Sequence, residues 1–474
     1  MRTLRNLIGG AWTASAEPTL LDLVNPATEE IVARLPAGSP GDADRAVAAA
    51  AAAQPGWRAL PLAERVRRIG AYAGVVAAHA GELAELQCRE MGQPVALGRP
   101  FIEGAAAALK ADAEAALTYP FTTPIDNGGQ GTAEIVRHPL GATAVITPWN
   151  FPVATLLTII GPLLAAGNTV VVKPSERSPL SAVRLCELLT LPDGVVNLVL
   201  GDARAGAPLA EHPGIGLVHF TGSVPAGRAV GAGAGRRLHR AILELGGKDP
   251  VIVDSDADPV ATAAAVAHGA FLNSGQICTS MERVYVHRDI AGRFVDALVD
   301  AARGHTLGDG HDPSTVLGPL VDRRQRDLVH GHVLDAVAKG ARLRTGGEVP
   351  AGPGFFYPAT VLTGVDDSMA IMTEETFGPV APVRVVDSFE EGVELASRSR
   401  FGLAATVYTG DPGHADAARA IPAGILWVNA WQGGGPGRVY EPAGYSGMGA
   451  WGAHAAYDAA TRPATIHVAP AQTS

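Results

Sequence analysis

Cysteine is scarce in this chain, which has three cysteines among 474 residues. Three thiols that lie far apart in the sequence cannot all pair, so a complete disulfide framework is excluded. Unpaired thiols are typical of a reducing, cytoplasm-like compartment. We therefore expect a cytoplasmic protein.

Clusters of positive charge are also missing. The formal net charge is −10, whereas binding to nucleic-acid phosphates requires Lys and Arg side chains gathered on one surface. The densest basic group, Arg236, Arg237 and Arg240, is more typical of a solvated face. We expect no nucleic acid among the partners of this chain.

Long apolar runs are absent as well. No segment reaches the roughly 18 consecutive apolar residues that span a bilayer. The longest candidate, residues 142–167, is interrupted by Pro148, Asn150, Pro152 and Pro162. Residues 1–12 contain no apolar core of signal-peptide length. We expect a mature protein with no membrane partner.

The chain does contain enough apolar surface for a large core. Hydrophobic residues make up 47% of the sequence and charged residues 18%, which is normal for a globular protein. The length allows two or three domains. Residues 42–116 carry a helical pattern, in which Asp42 is placed to cap the first helix and Gly92 to end a later one.

Two successive sets of alternating strands and helices follow. From residue 133, apolar runs such as Val170-Val171-Val172 alternate with helix-length segments, as is typical of parallel strands buried on both faces. A second alternating set begins near Val251. The sequence predicts two α/β domains that meet near Gly246-Gly247, where we expect a catalytic cleft. The turn residues Asp126-Asn127-Gly128-Gly129 predict a separate hairpin within Thr122–Pro139.

The most informative residue is Cys278, which lies in a small, polar stretch with no second cysteine nearby. Glu244 precedes it by 34 residues (278 − 244) and is followed by Leu-Gly-Gly-Lys. Four further motifs accompany this pair: Pro148-Trp149-Asn150-Phe151-Pro152, Lys173-Pro174-Ser175-Glu176, Phe220-Thr221-Gly222-Ser223 and Glu374-Glu375-Thr376-Phe377-Gly378-Pro379. In this order and at these spacings, the set resembles the NAD(P)-dependent aldehyde dehydrogenase superfamily, from about residue 7 to about residue 468.

The resemblance implies an α/β protein with a Rossmann-like NAD-binding domain, a second α/β catalytic domain and a small β oligomerisation arm. We expect the NAD-binding domain in residues 1–121 and 140–246, and the catalytic domain in residues 247–452. The arm would comprise residues 122–139 and 453–474, with Thr465–Ala469 as its C-terminal strand. Such an arm predicts a homodimer or a homotetramer.

Oxidation of an aldehyde by hydride transfer requires a nucleophile, an oxyanion donor, a base for water and a dinucleotide pocket. Cys278 suits the nucleophile, because Ser274 and Gly275 are small and leave space around the sulfur; the alternative is a structural cysteine. Asn150 suits the oxyanion donor together with the Cys278 backbone N–H. The alternative for Asn150 is an Asx-turn or a helix cap.

Glu244 suits the general base that activates water. A carboxylate at the end of a buried strand is partly desolvated, which raises its pKa toward useful basicity. The alternative is a surface ion pair with Lys248. The resembled family often has a lysine where this chain has Ile159, and an Arg-Glu pair where it has Ala450-Trp451. These departures leave Glu244 as the only obvious base and put in doubt what the family implies for residues 431–452.

Cofactor contacts are expected where the strands end. Lys173 and Glu176 follow the strand Thr169–Val172, and the resemblance implies that they bind the adenosine ribose. The alternative is a helix start with Ser175 as its cap and Glu176 in its first turn, which is compatible with the same geometry. The carboxylate of Glu176 would repel a 2′-phosphate, so NAD is favoured over NADP. Gly222, Ser223 and Gly227 form a strand-to-helix turn whose helix N-terminus can face pyrophosphate, although their spacing differs from GxGxxG.

Three aromatic or acidic residues complete the expected cofactor set. The resemblance implies that Glu375 binds the nicotinamide ribose and that Phe377 packs near the nicotinamide, although Phe377 taken alone is more typical of a core. Trp149 belongs to the same set through its position beside Asn150. We expect no metal ion.

The function favoured by these residues is oxidation of a small-molecule aldehyde to a carboxylic acid with NAD, through a cysteine thiohemiacetal and a thioester. An acylating enzyme, which passes the acyl group to coenzyme A or phosphate, is the alternative, and Glu244 argues against it. A non-catalytic structural protein is opposed by the intact Cys278, Glu244 and Asn150. The aldehyde is not identified; an apolar run, Leu156, Leu157, Ile159 and Ile160, indicates either an apolar substrate or core packing.

Overall fold

Two large β-sheets and one small antiparallel sheet organise the chain, and the computed structural model describes residues 2–435 and 437–469. Within these residues the first sheet has eight strands, and its five central strands are parallel. One of them, Thr169–Lys173, contains the apolar run Val170-Val171-Val172, and the predicted parallel sheet is confirmed. In spatial order the strands are Gly447–Met448, Arg240–Glu244, Ile215–Thr221, Ala142–Ile146, Thr169–Lys173, Val196–Leu198, Asn6–Ile8 and Ala11–Thr13.

Helices pack around this sheet, as the alternating pattern predicted. Ser39, rather than Asp42, caps the first helix: its hydroxyl oxygen accepts the Asp42 backbone N–H at 3.2 Å. A later helix ends at Gly92, whose φ of +84° a residue with a side chain rarely adopts. The helices are Pro40–Ala59, Leu62–Ala78, Ala80–Met91, Val95–Glu114, Pro152–Ala165, Pro179–Glu187, Ala203–Ala210, Val224–Arg236 and Ala453–Ala460.

The second sheet is parallel except for one edge strand. Its strands, in spatial order over the described residues, are Arg342–Thr345, Thr360–Thr363, Val380–Val386, Met281–His287, Asp249–Val253, Ala404–Tyr408 and Ile425–Val428. The antiparallel strand is the first of these. The helices of this region are Pro259–Phe271, Arg288–Arg303, Arg323–Ala338, Ala370–Thr373, Phe389–Ser397 and Pro412–Ala417. The second α/β set is therefore confirmed.

The third sheet joins two distant parts of the chain. The predicted hairpin is present as Thr122–Ile125 and Thr132–Pro139, and Thr461–Val468 pairs antiparallel with its longer strand. Two small sheets complete the strands of the described residues: Arg2–Thr3 and Leu20–Val24 flank Ile31–Pro36, and Phe401–Gly402 pairs with Ala443–Gly444. Among the helices of the described residues, none is long and apolar enough to cross a bilayer.

The domain boundaries stay a prediction. One strand crosses the predicted division, because Gly447–Met448 pairs with Arg240–Glu244 at the edge of the first sheet. Residues 470–474 of the predicted arm lie outside the described residues.

The apolar helix Pro152–Ala165 lies in the core of the first sheet. Leu156, Leu157, Ile159 and Ile160 are at most 3% exposed and pack in one buried cluster with other core residues. None of the four lines the large cavity described below. Core packing is therefore their role, and they carry no information about an apolar aldehyde.

Candidate active site

A cavity of about 860 Å³ lies where the two α/β sets meet. Its walls include residues that follow the carboxyl ends of four parallel strands: Ile146, Lys173, Thr221 and Glu244 are the last residues of those strands. Ligands bind at this edge of open α/β sheets. The second set contributes Cys278 and the loop that carries Glu375 and Phe377. The cleft expected near Gly246-Gly247 is thus present.

Cys278 follows a turn with unusual backbone geometry. Asn273, Ser274 and Gly275 have φ values of +51°, +56° and +70°, a left-handed conformation that is costly for residues with side chains. At Gly275 a Cβ would lie 2.1 Å from the Gly378 carbonyl oxygen. Gly275 is therefore required by close backbone contact, and does not serve to leave space around the sulfur. The turn presents a partly exposed Cys278 to the cavity.

The acidity of the thiol does not single out Cys278. Burial raises its pKa to about 12, and the carboxylates of Asp249, Glu244 and Glu375 add to the increase. Burial raises the pKa values of Cys88 and Cys186 to about 12 as well. What distinguishes Cys278 is that, among the three cysteines, it alone lines the cavity. A thiolate there requires a compensating positive charge or a proton acceptor.

Glu244 ends its strand at the cavity wall and is 8% exposed. Burial raises the pKa of its carboxyl to about 8, and the neighbouring Tyr440 hydroxyl opposes this increase. Among the described residues, its Oε1 has no hydrogen-bond partner. Lys248 instead pairs with Glu282, with 2.6 Å between Nζ and Oε2. The surface ion pair considered for Glu244 is therefore wrong.

Asn150 bridges two distant segments at the cavity. Its side-chain Nδ2 donates to the backbone carbonyl oxygen of Gln276 at 2.9 Å. Its backbone carbonyl oxygen accepts a hydrogen bond from Asn273 Nδ2 at 3.1 Å. The following helix, Pro152–Ala165, has Phe151 at its N-cap position, so Asn150 is not a helix cap. These contacts hold the amide against the turn that precedes Cys278.

Most of the expected adenosine-side residues come together. Lys173 is buried and its Nζ donates to the carbonyl oxygens of Pro174 and Gly201, at 2.7 and 2.9 Å. Glu176 lines the same cavity, as do Gly222 and Ser223 at the N-terminal end of the helix Val224–Arg236. The backbone N–H groups of a helix N-terminus favour an anionic group.

Gly227 does not line this cavity. It lies inside the helix Val224–Arg236, where a Cβ would come within 2.3 Å of Leu245 Cδ2. Its role is to let the helix pack closely on the segment that follows the strand Arg240–Glu244. This position of Gly227 does not support the cofactor contact expected from its sequence.

Glu282 anchors the backbone of the loop that carries Glu375 and Phe377. The Glu282 carboxylate accepts the backbone N–H groups of Thr376 and Phe377, each at 2.8 Å. This arrangement keeps Phe377 at a φ of +52° and its ring edge-on to Trp149, with 5.4 Å between centroids. Phe377 and Trp149 both line the cavity, so Phe377 is not simply a core residue.

The Glu375 carboxylate packs against Gly246 and Gly247, which accounts for the two glycines at these positions. Its carboxylate accepts the Gly247 N–H at 3.2 Å, and a Cβ on Gly246 would lie 2.2 Å from its Oε2. Burial raises the pKa of Glu375 to about 8, and the neighbouring charge of Glu282 adds to it. The absence of side chains at Gly246 and Gly247 thus lets the two α/β sets approach at the cavity.

Several polar residues around the site were missed from the sequence. Tyr440 is close to Glu244 and Cys278, and its pKa lies well above the ordinary value because of burial and these two groups. Asp249 is buried beside the thiol and Glu282 beneath the Phe377 loop. The sequence carried no local signal for these residues: the burial of Lys248, which requires a partner such as Glu282, is known only from the structure.

Comparison with known proteins is consistent with this site. The sequence model of the aldehyde dehydrogenase family matches residues 12–466. The 3,6-anhydro-alpha-L-galactose dehydrogenase of Streptomyces coelicolor is 38% identical, over 92% of this chain and 93% of that protein. The crystal structure of lactaldehyde dehydrogenase from Escherichia coli has a TM-score of 0.95 and 34% identity, covering 98% of this chain and 99% of that one. Betaine aldehyde dehydrogenase from Staphylococcus aureus, solved in complex with NAD+, has a TM-score of 0.93 and 30% identity, with coverages of 98% and 94%.

Proposed function

The chain belongs to the aldehyde dehydrogenase family, and on that premise we propose which of its residues perform the reaction. The protein is an NAD-dependent oxidoreductase that converts an aldehyde to a carboxylic acid through a cysteine thiohemiacetal and a thioester. The observation that carries the residue assignment is the convergence of Cys278, Glu244 and Asn150 on one cavity.

Cys278 is the proposed nucleophile. Its sulfur adds to the aldehyde carbon, and the carbonyl oxygen becomes an alkoxide. The pKa of the thiol is raised to about 12 by burial and by the neighbouring acidic groups, so the thiol is almost fully protonated near neutral pH. Attack therefore requires that the thiol proton pass to an ionised acidic group beside it or to solvent as substrate binds, and a positive charge placed nearby would favour this loss.

Asn150 is the proposed oxyanion donor, with the Cys278 backbone N–H. One N–H of its amide is held by the Gln276 carbonyl oxygen, and the second is available to the alkoxide. Because the amide is buried and anchored on the turn that precedes Cys278, it is oriented before substrate arrives.

Glu244 is the proposed general base for thioester hydrolysis. Its Oε1, which has no hydrogen-bond partner in the part of the chain that the structure describes, can accept a proton from a water molecule. The hydroxide then attacks the thioester carbon while the Cys278 sulfur leaves. Ile159 and Trp451 are buried apolar residues and offer no relay, so Glu244 acts without them. Water activation at Glu244 favours hydrolysis over acyl transfer to coenzyme A or phosphate.

NAD is proposed to lie along the strand ends, between the adenosine-side residues Lys173, Glu176, Gly222 and Ser223 and the nicotinamide-side residues Trp149, Glu375 and Phe377. When bound, it supplies the acceptor for the hydride that leaves the thiohemiacetal carbon. Lys173 retains one N–H beyond its two carbonyl contacts, which suits a ribose hydroxyl. We retain Gly227 only as a packing residue.

The experiment that tests the covalent assignment is mass spectrometry of the Glu244→Gln protein after mixing with NAD and an aldehyde. We expect an added acyl mass on the peptide that contains Cys278, and none in the Cys278→Ala protein. Cys186→Ala is the matched control, because it removes an equally weak acid that lies outside the cavity. Substantial NADH production by Cys278→Ala would overturn the assignment. Acyl transfer to added coenzyme A that outpaces hydrolysis would favour the acylating alternative.

We also propose a homodimer, or a tetramer of dimers, formed through the third sheet. Thr461–Val468 is an edge strand, and Ile466 and Val468 are 41% and 59% exposed. An exposed apolar edge strand favours pairing with another chain. Light scattering should report an oligomer for the full chain, and removal of residues 461–474 should shift it toward a monomer. A monomeric full-length chain at micromolar concentration would contradict this proposal.

A cytoplasmic location is proposed from the three cysteines. All three are free thiols, which a reducing compartment preserves. Fractionation of cells that produce the protein, with recovery of activity outside the cytoplasmic fraction, would contradict it.

A further inference from the structure

A second cluster of polar side chains lies away from the active-site cavity. The sulfur of Cys88, a carboxylate oxygen of Asp309 and a ring nitrogen of His311 all lie within 4.8 Å of one another. Cys88 belongs to the helix Ala80–Met91, beside the first sheet, and the other two residues belong to a loop of the second α/β set. None of the three lines the cavity that contains Cys278.

The distances suit a tetrahedral metal ion. Cys88 Sγ and His311 Nδ1 are 3.6 Å apart. For zinc, with bonds of about 2.3 Å to sulfur and about 2.1 Å to nitrogen, tetrahedral geometry separates these two ligand atoms by about 3.6 Å. Asp309 Oδ1 is 2.8 Å from the same ring nitrogen, so the carboxylate needs only a small displacement to become the third ligand.

Glu85 orients the histidine for this role. Its Oε2 lies 3.0 Å from His311 Nε2, on the side of the ring that faces away from Cys88. A carboxylate that accepts the other ring N–H is the usual partner of a metal-binding histidine, because it leaves the ligating nitrogen unprotonated. With Nε2 protonated toward Glu85, the lone pair of Nδ1 points to Cys88 and Asp309.

The loop that carries Asp309 and His311 packs against the helices Ala80–Met91 and Val95–Glu114. The Gly310 carbonyl oxygen accepts the Val95 N–H at 3.0 Å, and a Cβ on Gly310 would lie 2.7 Å from Cys88 Sγ. His311 and Asp309 are 41% and 50% exposed, so an ion has a path from solvent to the buried sulfur. The positions of the donors are therefore set by the fold, while access is retained.

We propose that Cys88, His311 and Asp309 form a binding site for a divalent d-block ion of the zinc class, with water at the fourth position. Thiolate, imidazole and carboxylate together match zinc better than magnesium or calcium, which take oxygen ligands only. Binding replaces the S–H bond of Cys88 by a sulfur–metal bond and releases the proton to solvent. The ion joins the first helical region to the second α/β set and stabilises their contact.

This proposal departs from the expectation that no metal is involved. It competes with a simpler arrangement, in which a protonated His311 ring lies between the carboxylates of Glu85 and Asp309. That arrangement uses the same distances but needs no ion and leaves Cys88 as a thiol. The two differ in whether the sulfur becomes a metal ligand, which optical spectroscopy measures directly.

The test is titration of full-length, chelator-treated protein with Cd²⁺ and with Co²⁺, in a Cys278→Ala background that removes the reactive thiol. We expect a thiolate-to-metal charge-transfer band that saturates at one equivalent, and visible Co²⁺ absorption typical of four-coordination. Cys88→Ser should abolish the charge-transfer band. Glu85→Gln should weaken binding about 10- to 100-fold, the effect of losing a partner that orients a ligand.

Two further measurements guard against a folding artefact. His311→Ala alters an exposed side chain, so the protein should fold, yet it should bind Cd²⁺ at least about tenfold more weakly. Zinc should raise the thermal midpoint of the Cys278→Ala protein and leave that of the Cys278→Ala/His311→Ala protein unchanged. Cys186→Ser is the matched thiol control and should retain the band. Absence of the band in the Cys278→Ala protein, or an equal band after His311→Ala, would overturn the proposal in favour of the protonated histidine.

Discussion

Two buried glutamates, Glu90 and Glu244, have the same raised pKa of about 8, and burial is the main cause in both. Their surroundings differ. The Glu90 carboxylate accepts the backbone N–H groups of Leu180 and Ser181 and the Ser181 hydroxyl, at the N-terminus of the helix Pro179–Glu187. Within residues 2–435 and 437–469, one oxygen of Glu244 has no hydrogen-bond partner, and this side chain faces the cavity. A raised pKa therefore does not identify a base; an unused oxygen beside a cavity does.

Replacement of Glu244 is the strongest test of this difference between the two glutamates. Glu244→Gln should lower the steady-state rate about 10²- to 10⁴-fold, the usual contribution of a general base, while a burst of NADH persists because Cys278 is intact. Stopped-flow absorbance of NADH measures both phases. Equal steady-state rates for the two proteins would assign water activation to another group. Glu90→Gln is the matched control and should leave the rate within about twofold when corrected for folded protein.

The pH dependence sharpens the same contrast. Glu244 accepts a proton only when ionised, so thioester hydrolysis should increase as pH rises through about 8, roughly tenfold per pH unit below that value. The rate of the slow phase after the NADH burst, measured between pH 6 and 10, gives the profile. In Glu244→Gln the residual rate should lose this increase. A profile that persists in the variant would assign it to Glu375, whose pKa is also raised to about 8.

Both carboxyl pKa values are raised to about 8, so the pH dependence of stability has the same sign at the two glutamates. Replacement by Gln should nevertheless change stability in opposite directions, because only Glu90 accepts several N–H groups. Glu90→Gln places an NH₂ group among N–H donors and should lower the free energy of unfolding by about 1–3 kcal/mol. Because the folded pKa of Glu244 is raised, the folded protein binds that proton more tightly than the unfolded chain, and its stability falls as pH rises from the unfolded pKa through about 8. Glu244→Gln should therefore raise the thermal midpoint above pH 8. If calorimetry showed that both variants shift the thermal midpoint in the same direction above pH 8, the proposed difference between Glu90 and Glu244 would be wrong.

The smallest expected effect concerns a third carboxylate, Glu176, which faces the cavity but has no part in proton transfer. The wild type should prefer NAD over NADP in kcat/KM, and Glu176→Gln should reduce that preference about tenfold, or about 1.4 kcal/mol. Asp202→Asn is the matched control, because this cavity carboxylate is already paired with Arg204 at 2.9 Å. A wild type that prefers NADP would remove Glu176 from the ribose site.

The sequence predicted the α/β class and the parallel first sheet, because these depend on local pattern. Ten of the eleven site residues that it singled out line the cavity, because short motifs carry them. Gly227 was misjudged, since a glycine after a strand is equally suited to packing and to cofactor contact. Tyr440 was missed because no local pattern links it to a strand 196 residues earlier (440 − 244). The apolar run in Pro152–Ala165 could not be assigned, because periodicity does not distinguish a core face from a substrate wall.

What the sequence determined by itself was the set of chemical groups and the elements that carry them, since hydrophobic periodicity and turn residues act over a few positions. Only the tertiary structure decided which groups meet. Cys88 and His311 are 223 residues apart in the sequence. Glu282 accepts a hydrogen bond from the backbone of Thr376, which lies 94 residues later. Such contacts arise when buried sheets and helices pack, and packing is decided by the whole core rather than by any one segment.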